Sequence, residues 1–367
     1  MKFICGKSTL QEAVGVAQKA VTGKSTMNIL EGILIIAKEN EITLIGSDID
    51  LSIETKIKAE VIEEGRAVLD SKLFGEIIKK LPNDEVEITT GDNNSVEIIC
   101  QKSKAVLKYM SADDFPSLPS IDENMLFSIP QGILKNMIRG TIFATAQDEI
   151  RPILTGVLFE VKNGRLNLVA LDGLRLALKS EALENDNTIS SVIPGKSLGE
   201  VAKILEDSEE NVNITFTANH ILFNLGKTKV ISRLLEGDFI KYDSIIPYEY
   251  NLKVIAKRDE LLDCIERASL MAKEGNTNLV KLDIKDDIIV ITSDSQLGKA
   301  REELNIIMQG EPLQIAFNAK FLIDAFKIME EEEIILELSS SVSPCIVKNR
   351  NNDNCTYLVL PVRFLSN

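Results

Sequence analysis

The sequence has no tryptophan, one histidine and five cysteines in 367 residues. A Ser-His-Asp or Cys-His mechanism therefore runs through His220 or does not exist. His220 lies in Asn219-His220-Ile221-Leu222-Phe223, which reads as the start of a strand after a turn, and no nucleophile motif such as GxSxG accompanies it. Cys5, Cys100, Cys264, Cys345 and Cys355 are scattered, odd in number and never spaced CxxC. That is cysteine used as a small buried apolar residue in a reduced cytosolic protein, without structural zinc. No apolar run approaches the ~20 residues of a membrane helix. The opening Met1-Lys2-Phe3-Ile4-Cys5-Gly6-Lys7 lacks the apolar core and cleavage site of a signal peptide. A cytoplasmic location without membrane contact is expected.

Cofactor motifs are also missing. Gly-Lys-Ser occurs at 6–8, 23–25 and 195–197. A phosphate-binding loop needs a glycine five positions before the Gly-Lys glycine, where Met1, Gln18 and Ser190 stand. Asp48-x-Asp50 sits at a strand end with no third ligand and reads as a solvated turn. The run Glu330-Glu331-Glu332-Glu333 reads as a solvated loop between a helix and a strand. No acid/base pair, metal cluster or glycine-rich loop is assembled, so the chain reads as a non-enzyme with no cofactor and no metal.

What the sequence does have is an internal repeat. Residues 68–79, 192–203 and 316–327 share one pattern, with central lysines Lys72, Lys196 and Lys320 spaced 124 and 124. Each is followed four residues on by an acid (Glu76, Glu200, Asp324) and seven on by a lysine (Lys79, Lys203, Lys327). Leu10 and Leu134 are 124 apart, with Leu261 another 127 on. Ile29-Leu30-Glu31-Gly32 matches Ile153-Leu154-Thr155-Gly156, and Phe115 matches Phe239, again at 124. Asp48, Asp172 and Asp294 end equivalent strands. So many coincidences in one register mean three tandem units, with boundaries expected at 1–121, 122–247 and 248–367.

Each unit reads as a strand, an amphipathic helix, a strand hairpin such as 33–37 with 41–46 around Glu39-Asn40, a second helix and further strands. The expected order is β-α-βββ-α-ββ, an α+β domain with two helices on one face of an antiparallel sheet. In the first copy Leu10, Ala13, Val14, Ala17 and Val21 form the apolar stripe of the first helix. Leu73, Phe74, Ile77, Ile78 and Leu81 form that of the second, opposite Lys72, Glu76, Lys79 and Lys80.

The net charge is −15, which taken as a total argues against a nucleic-acid partner. Its distribution says otherwise. The six predicted helices (7–20, 71–81, 131–145, 195–206, 257–273 and 319–329) carry 15 basic and 9 acidic residues, against 26 and 47 in the remainder. One lysine-bearing helix face is ordinary solvation. The same heptad in three units suggests a surface that attracts phosphate weakly and without reading sequence.

Several motifs carry a resemblance: the opening Met1-Lys2-Phe3, Ala112-Asp113-Asp114-Phe115-Pro116, residues 148–156 (DEIRPILTG), residues 172–176 (DGLRL) and the ending Leu358-Val359-Leu360-Pro361-Val362-Arg363. With the three-unit frame they resemble, end to end, the bacterial sliding clamp family, the β subunit of DNA polymerase III. The resemblance implies a DNA-clamp fold. Two chains would join head to tail as a homodimer, in a ring of six similar domains whose helices line a hole around double-stranded DNA. It implies Lys24, Lys72, Lys196, Gln147 and Asp148 as DNA-facing, with Lys320 added by the lysine pattern. Asp148, beside Gln147, is acidic and is not expected to touch phosphate. An aromatic pair that some relatives carry on that loop is replaced here by Pro152 and Ile153.

The resemblance also implies a hydrophobic pocket between the second and third units. It would capture short linear motifs of the polymerase III alpha subunit, the clamp loader, other polymerases and repair proteins. The matching residues are Leu154, Leu171, Gly173, Leu174, Arg175 and Leu176; Ile240, Ile245, Phe321 and Pro344; and Leu358, Val359, Leu360, Pro361, Val362 and Arg363. Of the terminal strand, Val359 is expected in the core and Leu360 and Val362 in the pocket. Leu171 and Leu174 stand where relatives often have polar or histidine residues, and Ser244 where some have arginine, which shifts peptide preference toward apolar contacts. The tail Phe364-Leu365-Ser366-Asn367 is placed near the pocket mouth. For the dimer contact, Leu107 is expected against Leu270 and Met271. Two other readings stay open: a monomeric three-lobed peptide-binding scaffold without DNA encirclement, and an enzyme using carboxylates in an inter-domain cleft.

Overall fold

A computed structural model describes the chain except residues 22, 24–26, 122–125, 149, 186–187, 275–277 and 364–367. Among the described residues there are six α-helices: α1 Lys7–Ala17, α2 Ser71–Lys80, α3 Gln131–Ile142, α4 Gly195–Ile204, α5 Arg258–Glu274 and α6 Ala319–Ile328. Among the described residues the strands pair only in antiparallel fashion. The chain divides into two compact units, Met1–Leu134 with Glu200–Leu234, and Lys135–Gly199 with Leu235–Asn367.

In the first unit, the hairpin strands Gly32–Lys38 and Glu41–Ser47 turn at Glu39 and Asn40, both with positive φ (51° and 60°). Two such residues make the tight turn whose twist matches antiparallel strands. The turn recurs at Asn163-Gly164 and Asp286-Asp287, each pair at positive φ, so the repeat extends to backbone conformation. Phe3 of the first strand, Leu10, Ala13, Val14 and Ala17 of α1, and Phe74 and Ile78 of α2 close one core over Ile33, Ile35, Ile42 and Leu44. Both helices thus cover one sheet face, and each large side chain fully buried there contributes about 1.5–3 kcal/mol. Asp70 caps α2, its carboxylate accepting from Leu73 N at 2.7 Å, and Asn318 caps α6 through Lys320 N at 3.0 Å.

Three sequence expectations need correction. Between the helices of the first copy there are five strands (Gly32–Lys38, Glu41–Ser47, Leu51–Lys58, Glu60–Glu63 and Gly65–Asp70), and three follow α2. Ala59 separates Leu51–Lys58 from Glu60–Glu63, and Ser103–Met110 is a third strand after α2 where two were expected. Leu73 is 49% exposed. It lies at the margin of the stripe at 74, 77, 78 and 81, about 90° round the helix from its centre. Asp324, read as part of a solvated helix face, is engaged by a buried arginine described below.

In the second unit a nine-stranded sheet runs, in spatial order, Ile189–Pro194, Gly156–Lys162, Arg165–Leu171, Arg175–Ala182, Cys355–Val359, Cys345–Asn349, Glu333–Leu338, Leu252–Lys257 and Ile307–Gly310. Strands of the second repeat therefore join strands of the third through one pairing, Leu176 opposite Leu358. A four-stranded sheet, Gly298–Asn305, Ile288–Ser295, Leu279–Lys285 and Leu313–Asn318, completes the unit. All five cysteines are buried and unpaired. Among the described residues no helix is long and apolar enough to cross a membrane, and no cluster of potential metal ligands occurs.

Candidate functional site

The loop from Asp172 to Arg175 is built by local chemistry. Asp172 Oδ1 accepts from Leu174 N at 2.9 Å and Arg175 N at 3.0 Å, a side-chain turn that aspartate is suited to make. Gly173 at the tip has φ +91°, in the left-handed region glycine enters without a Cβ penalty. The turn leaves Leu174 53% exposed while Arg175 is 8% exposed.

Arg175 ties together segments distant in sequence. Its Nε donates to Asp172 Oδ2 at 3.0 Å, one terminal nitrogen to Asp324 Oδ2 at 2.6 Å and the other to the Phe143 carbonyl at 2.6 Å. The guanidinium lies over the Phe321 ring at 4.6 Å and the Phe143 ring at 5.4 Å. Two carboxylates, a carbonyl and two aromatic faces compensate its desolvation. The sequence marked Arg175 and Phe321 as pocket residues; the structure makes them a brace under the loop.

Leu176, the next residue of the strand, turns to the opposite sheet face, where an apolar floor lies. Leu154, Leu171, Leu176 and Leu358 are buried in one cluster with Tyr242 and Ile346, and Ile240 and Leu360 pack against it. The chain then leaves the terminal strand and crosses the site, Leu360 N bonding to Leu174 O at 2.9 Å and Val362 N to Ala316 O at 2.8 Å. Ile245 and Val362 stay 38% and 40% exposed. Val359 is core, Pro344 and Pro361 are half-buried, and Arg363 is exposed. Leu174 and Val362 are thus exposed on the two segments that meet at the Leu174–Leu360 bond, next to a packed floor. Tyr242, which pattern alone did not single out, supports that floor; its hydroxyl donates to Glu160 Oε2 at 2.5 Å, and burial holds its ionisation well above the usual phenol range. Asp324 and Phe143 were missed likewise, because their partner is far away in sequence.

The other predicted residues are elsewhere. Lys72, Lys196 and Lys320 are exposed, each the second residue of α2, α4 and α6. Gln147 and Asp148 are exposed on the segment after α3. Lys24 and the 364–367 tail lie outside the described residues. The strand Ser103–Met110 pairs along its length with Ser95–Cys100, while on its other side only Tyr109 and Met110 are paired. Its Leu107 packs on the first core; Val106, beside it, is the one turned outward, at 58% exposed. That alternation is the period of two in a strand. Leu270 of α5 is 57% exposed and Met271 half-buried.

Comparison with known proteins gives a consistent match. Residues 1–119, 128–241 and 243–363 match the N-terminal, central and C-terminal domains of the DNA polymerase III beta subunit. The chain is 38% identical to the beta sliding clamp of Bacillus subtilis, over 99% of this chain and all of that one. It is 37% identical to that of Halalkalibacterium halodurans over the same shares. The crystal structure of the DNA polymerase sliding clamp from B. subtilis superposes with a TM-score of 0.96 over the full length of both chains. That of the Thermotoga maritima beta subunit, 28% identical, does so at 0.93 over 99% of this chain and all of that one.

Proposed function

Because the chain belongs to the DNA polymerase III beta subunit family and is a DNA sliding clamp rather than an enzyme, we propose that two copies close head to tail into a ring around duplex DNA, with domain boundaries near 121 and 247. The unpaired flank of 103–108 and the outermost strand Gly298–Asn305 are the edges that closure would join. Open edges invite uncontrolled pairing, and a ring of symmetric contacts removes them. Val106 and Leu270 supply exposed apolar surface for that contact, with Leu107 behind.

In this reading α2, α4 and α6 face the hole. Lys72, Lys196 and Lys320, with Lys24 and Gln147, meet the phosphate backbone through weak contacts that carry no sequence information. Topology, not affinity, retains the DNA, so the ring slides.

The surface built on Leu154, Leu171, Leu176, Leu358 and Leu360 takes short linear motifs of the polymerase III alpha subunit, the clamp loader, other polymerases and repair proteins in the cytoplasm. The observation that carries this assignment is the packed floor of Leu154, Leu171, Leu176 and Leu358, with exposed Leu174 and Val362 on the two segments bonded to each other beside it. Apolar side chains standing in water beside a packed floor are what an anchor residue of a peptide would cover. Tethering then raises the effective concentration of polymerase at its template. Native mass measurement tests the ring: a dimer weighs about 81 kDa, twice the 40.6 kDa chain. A monomer at every concentration would leave only the scaffold reading.

A further inference from the structure

We propose that the first unit carries a second peptide-binding groove, the repeat equivalent of the one just described, selective for a short segment with an apolar side chain next to a lysine or arginine. This rests on reading the Leu154–Leu358 surface as a peptide site.

The equivalence is one of backbone geometry. Asp48 Oδ1 accepts from Asp50 N at 2.8 Å and Leu51 N at 2.6 Å, as Asp172 does 124 residues later. Ser52 stands opposite Ile231 in the ladder, as Leu176 stands opposite Leu358. Arg233 N bonds to Asp50 O at 2.8 Å, as Leu360 N bonds to Leu174 O at 2.9 Å. The hydrogen bonds of turn, ladder and crossing strand are thus reproduced in one register, with Ile49 in the place of Gly173 but without its positive φ. Leu30, the counterpart of Leu154, is 3% exposed.

Here the arrangement lines an open cavity of about 230 Å³ formed by Leu30, Ile231, Leu118 and Met27, with Asp48, Asp50, His220 and Arg233 around it. That is smaller than the ~300–1,000 Å³ of small-molecule sites and fits one or two side chains. Ile49, in the place of Gly173, is 69% exposed and Met27 46%; exposed Leu174 is replaced by Asp50. The lining differs where it sets selectivity. Leu176 is replaced by Ser52, whose hydroxyl is bonded to Ser47 at 2.7 Å, and Leu360 by Arg233. The cavity therefore holds two carboxylates against one guanidinium, which favours a cationic neighbour beside the apolar anchor.

The absence of tryptophan supplies the test. Ile49→Trp puts a single fluorophore at this groove and Leu174→Trp one at the other. Each full-length variant is titrated with acetyl-Lys-Leu-Lys-Phe-amide, its glutamate counterpart and the uncharged acetyl-Ala-Leu-Ala-Phe-amide. We expect a saturable shift of the Ile49→Trp emission by the lysine peptide, about tenfold weaker with the glutamate peptide and about tenfold weaker again after Asp50→Lys. The Leu174→Trp response to the uncharged peptide stays unchanged by Asp50→Lys. A silent Ile49→Trp beside a responsive Leu174→Trp overturns the second groove alone. Silence of both overturns it together with the peptide-site reading. Equal response to lysine and glutamate peptides refutes the charge selectivity.

Discussion

Arg175 and Asp324, 149 residues apart, meet at 2.6 Å in the second unit. The guanidinium is almost wholly buried and the carboxylate a quarter exposed. Removing one partner of a buried pair costs about 3–5 kcal/mol. Partial exposure of Asp324 lets water replace some of the loss, so Asp324→Ala is expected to cost about 2 kcal/mol, and Arg175→Ala more. Denaturant midpoints of the single and double variants check this. A double-variant cost equal to the sum of the two singles would show that the pair is uncoupled.

The pair shows where sequence reading stopped. Periodicity placed Asp324 on a helix face beside Lys320 and Lys327, and locally that is right. Nothing within one repeat announces that the same carboxylate closes a contact with the preceding repeat. Leu73 failed for a different reason: an apolar residue at the margin of a stripe has no neighbour in the sequence to decide its side. By contrast, local pattern recovered the Glu39-Asn40 turn and the α1 stripe except Val21, which lies beyond the helix, and the 124-residue spacing recovered the Asp48 and Asp172 strand ends, because each is governed by local backbone chemistry. The extra strands escaped because breaks such as Ala59 lack a glycine or proline signal.

Leu154→Ala with Leu360→Ala removes floor and flank of the peptide site. Partner-peptide affinity is expected to fall at least about tenfold while native mass stays that of the dimer. Fluorescence anisotropy with a labelled partner peptide reads the first, and native mass spectrometry the second. Unchanged affinity would remove the assignment of this surface.

Replacing Lys72, Lys196 and Lys320 by glutamate reverses three charges per chain at exposed positions. Loading onto DNA is expected to drop by about tenfold or more at moderate salt, with peptide binding intact. Normal loading would mean that the repeated lysines serve solvation alone.

The cysteines are expected to be inert in the folded chain. Burial pushes the Cys5 thiol up to about 12 from an ordinary 9.0, and the Cys345 thiol is raised further by the same desolvation. Folding thus favours the protonated form. Its contribution is complete below the ordinary thiol range and is lost as pH rises from about 9 through the folded value. Iodoacetamide at pH 8 should leave all five unmodified until denaturant is added, as counted by intact mass. Rapid labelling of Cys5 or Cys345 under native conditions would contradict this burial.

The central claim is topological, and retention on circular DNA tests it most directly. The clamp is loaded with a bacterial clamp loader and ATP, and bound protein is measured before and after a single restriction cut. Encirclement predicts stable retention on the circle and loss once the ends are free. Equal retention on the cut DNA would contradict the ring and point to ordinary surface binding.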